Sequence, residues 1–191
     1  IQHKSGGFPS FYDQANLYTF DTAQILHGLL SWYKKSSDVK FLVAAKMAGD
    51  FLCSMQVYSG SMFPIYDTKS DTRVVYQNNA KGSDWGSTFS YIQVKNAQAL
   101  LLLHKVTKIQ RFLTASERLG QIKFLNKECR YTHPLAYYLE GMMALGKNRI
   151  VRQILDDNII PTLRSNGFIP YFPGAKYAYV SGSVQLGILL W

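Results

Sequence analysis

The chain is short of cysteine, of long apolar runs and of clustered charge, and each shortage excludes something. Its two cysteines, Cys53 and Cys129, lie in apolar stretches of helical pattern. They read as small buried hydrophobes rather than a disulfide framework. Four histidines and two cysteines show no metal-ligand spacing, so neither a metal centre nor any other cofactor is expected. No apolar run reaches the roughly 18 residues that span a bilayer. The opening IQHKSGGF is no signal peptide. The expectation is a soluble chain without a transmembrane segment, the cytoplasm slightly favoured, with no legible address. A start at Ile1 rather than Met suggests a mature or partial polypeptide.

Acidic residues are also scarce: Lys+Arg number 21 against 12 Asp+Glu, a net charge of +9. No basic run exceeds the Lys34-Lys35 pair, and no zinc-finger or RRM pattern occurs, so nucleic acid is not an expected partner. A dispersed surplus of this kind keeps a surface soluble, or it attracts an anionic ligand such as a uronate-bearing glycan.

What the chain does have is helical periodicity. It predicts helices near 21–35, 38–56, 91–109, 114–128, 134–146 and 148–164, and another from about 181. Thr114 and Glu117 match a capping box, and Pro134 and Gly146 suit a helix start and stop. The fold class expected is all-α: consecutive antiparallel helical hairpins in one domain over 1–191. Helix openings repeat, with TAQILHGLL around Gln24, NAQALLLL around Gln98, LAYYLEGMM around Tyr137 and SVQLGILL around Gln185. A helix pair repeated every 40–50 residues or so signals a stacked or closed array. GGFPSFYD, GSMFPIYD and NGFIPYFPG then read as return loops between hairpins. Glycine permits positive φ, the aromatic folds back, and proline stops the helix from resuming. A copy before the first hairpin implies a preceding pair, so both ends look cut. The polar stretch 66–90 is a long insert of the lid type, with TRVVYQ its only strand-like segment.

AGDFLCSMQVYSGSMF, followed by the repeated pairs, resembles the α/α-toroid superfamily of six-hairpin glycosidases, sugar 2-epimerases, polyuronate lyases and terpenoid cyclases. More narrowly, YTFDTAQILHGLLSWY, THPLAYYLEGMMALG and GSVQLGILLW are similar to toroid proteins associated with polysaccharide metabolism. The cyclase DxDD-type motif is absent. The resemblance implies a partial toroid whose first helices form an inner ring, and a carbohydrate substrate or ligand, anionic ones included. It implies glycoside hydrolysis, or epimerisation or β-elimination of a uronate. A non-catalytic helical-repeat module is the alternative.

By that resemblance Asp21, Asn96, His133 and Ser181 sit near one rim, with Gln24, Gln98, Tyr137 and Gln185 one turn deeper. His133 is the best acid/base candidate, beside Tyr131 and Tyr137. Asp21 reads first as a helix cap and second as a functional carboxylate, and Glu140 as either a buried acid or the partner of a Lys or Arg. Asp67 and Asp84 are further carboxylates, and hydrolysis would need two of the set. Trp85, Tyr171, Phe172, Tyr177 and Tyr179 are the aromatics placed to cover a sugar ring. The Gln/Asn row has a plain alternative, cross-linking inner helices through amide hydrogen bonds.

Overall fold

The computed structural model of the chain describes residues 1–9, 15–75, 91–124 and 131–191. Among these residues the molecule is mainly helical. The elements are β1 (Asn16–Tyr18), α1 (Thr19–Ser36), α2 (Val39–Met55), β2 (Ile65–Asp67), β3 (Thr72–Val74), α3 (Asn96–Thr107), α4 (Gln110–Leu119), α5 (Thr132–Ala144), α6 (Asn148–Ile154) and α7 (Val180–Leu190). A 3-10 turn, Tyr91–Lys95, leads into α3. The odd helices pack in series, α1 on α3, α3 on α5 and α5 on α7, while α2 lies against α1, α3 and α4, and α6 against α5. The result is two layers.

The hairpin turns follow one recipe. Ser37 after α1 and Lys108 after α3 both adopt left-handed backbone, φ 57° and 60°. In each, the last hydroxyl of the first helix donates one turn back and accepts from the start of the next helix. Ser36 Oγ bonds Trp32 O and Asp38 N; Thr107 Oγ1 bonds Leu103 O and Ile109 N. This short turn moves the second outer helix. The spacing predicts 114–128, but α4 starts at Gln110 and ends at Leu119, so Thr114 and Glu117 lie inside it and form no capping box. Residues 125–128 of that expectation lie outside the described residues.

The Gly–aromatic–Pro segments share one backbone turn. His3 N donates to Gly7 O and Gly6 N to His3 O; Val57, Ser61 and Gly60 repeat this, as do Arg164, Phe168 and Gly167. Gly6, Gly60 and Gly167 all have positive φ, at 95°, 93° and 82°. At Gly6 and Gly60 the glycine does not end the helix, as expected from sequence, but docks the loop, whereas a Cβ at Gly167 would meet nothing within 4 Å. A Cβ at Gly6 would lie 2.1 Å from Met47 O of α2, and one at Gly60 2.3 Å from Arg118 O of α4. A glutamine locks each of the first two joints. Gln2 Nε2 donates to Gly6 O and Ala44 O, and Gln56 Nε2 donates to Gly60 O and Ala115 O.

Two more expectations change. The helix predicted over 148–164 is α-helical only to Ile154, widens to a π-turn over Leu155–Ile159 and tightens to 3-10 over Ile160–Thr162. Pro161 is the cause: it has no N–H, and its ring collides with the carbonyl four residues back. The all-α expectation also lacked a small antiparallel sheet, ordered β1-β2-β3. Its β3 is the strand-like TRV, but β1 was not foreseen, since three residues carry too little alternation to register.

Two apolar clusters form the interior, one from α1 to α4 and one from Val94 through α5 to α7, with Ile122 and Leu145 touching both. Gly141 of α5 lies against the Val94 carbonyl, whereas a Cβ at Gly28, in the corresponding repeat position, would meet nothing within 4 Å. The equivalence is therefore one of sequence only. Gly28→Ala is expected to stabilise the protein by roughly 0.5–1 kcal/mol, the intrinsic helix preference for Ala. Urea denaturation of the variant checks it.

Candidate functional site

The site is built from the beginnings of the odd helices. Tyr18, Tyr131 and Tyr179 each stand just before a helix in extended backbone, with no side-chain cap bond. Asp21 therefore sits in the first turn of α1 and is not its N-cap. There its charge is favoured by the helix dipole. Ser181 is likewise inside α7 and no cap. The sixth residue after each tyrosine is Gln24, Tyr137 or Gln185. The three fall on one open face of the odd-helix layer, joined there by Gln98.

Lys95, the last residue of the 3-10 turn, ties this face together. Its Nζ donates to Gln98 Oε1 at 2.7 Å and meets Glu140 Oε2 at 2.8 Å. Gln185 Nε2 approaches the same Glu140 oxygen at 3.5 Å. A polar chain thus runs from α3 through α5 to α7. It is polarised, because a lysine only donates and a carboxylate only accepts. Gln98 must turn its oxygen to Lys95 and present its NH2 outward. Gln185 must turn its NH2 to Glu140, which leaves its buried Oε1 without a partner among the described residues. Gln24, His27, Lys95 and Gln98, with Ala23 and Ala99, surround a cavity of ≈ 150 Å³.

Tyr137 marks the other side. Its ring is 4.7 Å from the His133 ring and 5.0 Å from Phe20, measured between centroids. Burial pushes its hydroxyl above the ordinary tyrosine range, helped by the negative charges of Glu140 and then Asp21. Both carboxylates therefore lie within electrostatic reach of that hydroxyl. At neutral pH Tyr137 is a hydrogen-bond donor, not a base. The associated stability is fully present below the unfolded tyrosine value and declines as pH rises through the folded one.

Beyond His133 the loop 171–179 is pinned to α5, Thr132 N and Oγ1 both donating to Tyr171 O. Tyr171 packs against Tyr131, Tyr177 and Tyr179, centroid distances 4.9, 5.8 and 4.2 Å, and Phe172 joins them. Tyr131, Tyr177 and Tyr179 keep about half their surface exposed.

Asn96 departs from the expected rim. It is fully buried, with its Nδ2 turned to Gln93 Oε1 at 2.7 Å and to Met62 Sδ. The reason is register: Asn96 lies next to Ala97 on the core side of α3, two positions from Gln98. Its Oδ1 and Gln93 Nε2 have no partner among the described residues, an interior polar pair facing no solvent. Asp67 is used locally, its carboxylate accepting from Lys69 N and Ser70 in the β2–β3 turn, which holds it below the usual carboxylate range. Trp85 and Asp84 lie outside the described residues. Cys53 is half-buried, its thiol pushed up to about 11 by burial and then by Asp50, so it is poorly reactive. Cys129 is outside the described residues. Among the described residues no group of three or more His, Cys, Asp or Glu could hold a metal, and no helix is long and apolar enough to cross a membrane.

Lys95 and His27 are the members that sequence reasoning missed. The signal for Lys95 was present: a lysine between buried Val94 and Asn96 needs a partner, and Glu140 is the one acid in α5.

No family model and no curated protein matches the chain. Among solved structures it is similar to one described as the crystal structure of a sugar epimerase from a ruminal bacterium, with a TM-score of 0.57 and 14% identity. The match covers 90% of this chain and 53% of that one, so this chain spans about half its length. At this identity the likeness is one of fold.

Proposed function

We propose that the open face of the odd-helix layer binds a saccharide and catalyses proton transfer on it, in a partial toroid of helical hairpins. The observation that carries this reading is the contact of His133 with Tyr137 beside Asp21 and Glu140, at one end of a row of amides. Epimerisation or β-elimination needs a base for the proton on carbon and a donor for the developing oxyanion. His133 supplies the first and the Tyr137 hydroxyl the second. Gln24, Gln98 and Gln185 offer donors and acceptors to sugar hydroxyls, and Asp21 is the remaining carboxylate at the rim. Glu140 orients its neighbours here, since its Oε2 is already taken by Lys95 and Gln185. That favours proton transfer by His133 over hydrolysis by a carboxylate pair.

The test incubates the protein with aldoses, uronates and their oligomers in D2O and follows deuterium entry and product formation by NMR. His133→Ala should lower turnover on the order of 10²–10⁴-fold. Tyr137→Phe should lower it with little change in saccharide affinity. The half-exposed tyrosines around Tyr171 favour a second reading, a non-catalytic module that holds a glycan on its aromatic cluster. Saccharide binding without exchange or turnover selects that reading; no saccharide binding sinks both.

A further inference from the structure

We propose that the cavity between α1 and α3 is a carboxylate subsite, so that the saccharide of the open face is acidic and carries a uronic acid residue. This rests on the saccharide reading above and names its substrate class. The cavity, ≈ 150 Å³, is well below the roughly 300–1,000 Å³ of sites that enclose a whole drug-sized ligand. It is sized for one substituent of a larger molecule. Its polar lining is Gln24, His27, Lys95 and Gln98, with no carboxylate among the described lining residues. Ala23 and Ala99 complete the wall and keep it narrow.

Two of these donors, Lys95 and Gln98, are oriented before any ligand arrives. An ammonium has three N–H groups, and Lys95 commits two of them, to Gln98 Oε1 and Glu140 Oε2. The third has no acceptor among the described residues, and Lys95 lines the cavity. Because Lys95 holds the Gln98 oxygen, the Gln98 NH2 is the end that faces a ligand. Gln24 and His27 stand three residues apart on α1, hence on one helical face above them. Donors therefore outnumber acceptors at this end. A carboxylate, which only accepts, matches that excess of donors. Glu140 shares the charge of Lys95, so recognition comes from oriented hydrogen bonds more than from net charge. The preference for acid over neutral ligand is accordingly about tenfold, the scale of one or two hydrogen bonds to a charged group.

The experiment titrates the protein with trigalacturonate, with its fully methyl-esterified form and with cellotriose, by calorimetry. Tighter binding of the acid than of the ester by about tenfold is expected. Gln98→Leu, and independently the surface change Gln24→Leu, should reduce that ratio toward one while the ester still binds. Equal affinity of wild type for acid and ester overturns the subsite but leaves the saccharide reading standing. A ratio unchanged in both variants likewise overturns it. Absence of binding to all three saccharides overturns both proposals together.

Discussion

Gly141→Ala is expected to destabilise the protein by roughly 2–3 kcal/mol, although alanine is the better helix former by about 1 kcal/mol. The added Cβ would lie 2.3 Å from the Val94 carbonyl oxygen and 2.5 Å from its carbon. These are backbone atoms and cannot swing aside. Gly141 and Val94 are the chain neighbours of Glu140 and Lys95, so the same close approach sets the 2.8 Å ion pair. Pushing α5 away should therefore weaken the polar chain as well as the packing. A thermal midpoint lowered by roughly 5–10 °C, with Gly28→Ala raised, is the expected pair of results. A neutral Gly141→Ala would show that α5 shifts without cost.

Lys95→Met should cost roughly 2–3 kcal/mol, somewhat below the 3–5 kcal/mol typical of breaking a fully buried pair. The discount follows from exposure, since the side chains of Lys95 and Glu140 retain 13% and 23% of their surface. The variant strands Glu140 beside Tyr137 and releases Gln98 from its fixed orientation. Adding Glu140→Met should recover at least half of the loss, because the uncompensated charge is then gone. Urea denaturation of both singles and the double measures the coupling. Additive losses would mean that the two side chains do not act as a unit.

The parts of this fold that could be read in the sequence are those set by local chemistry. Amphipathic period fixed α1, α2 and α5 to within a few residues, and the Gly–aromatic–Pro segments were recognisable as one repeated loop. What escaped was decided at a distance. The start of α4 depends on a two-residue turn with Lys108 in left-handed backbone, which no residue preference announces. The end of α6 was legible in Pro161 but outweighed by the apolar pattern around it. At the site, repeat position singled out Gln24 and Gln98, which line one cavity, and Gln185, which meets the Glu140 that Lys95 links to Gln98. It could not tell that Asn96 points to the core, because two residues on one helix differ by about 200° in direction. Nor could it pair Lys95 with Glu140, a contact that exists only once α5 has docked on the 3-10 turn.

The glutamine–glycine joints bear on the order in which the molecule assembles. Each closes over chain that appears later: Gln2 reaches Ala44 at a separation of 42 residues, and Gln56 reaches Ala115 at 59. During synthesis a return loop thus has its turn available early but no carbonyl to dock on until the next outer helix has left the ribosome. Loop-closure entropy of that length must be met before the joint contributes anything, so these bonds belong to the late, slow part of folding. Assembly would then proceed as a ratchet from the N-terminal side, each hairpin becoming fixed only when its successor arrives.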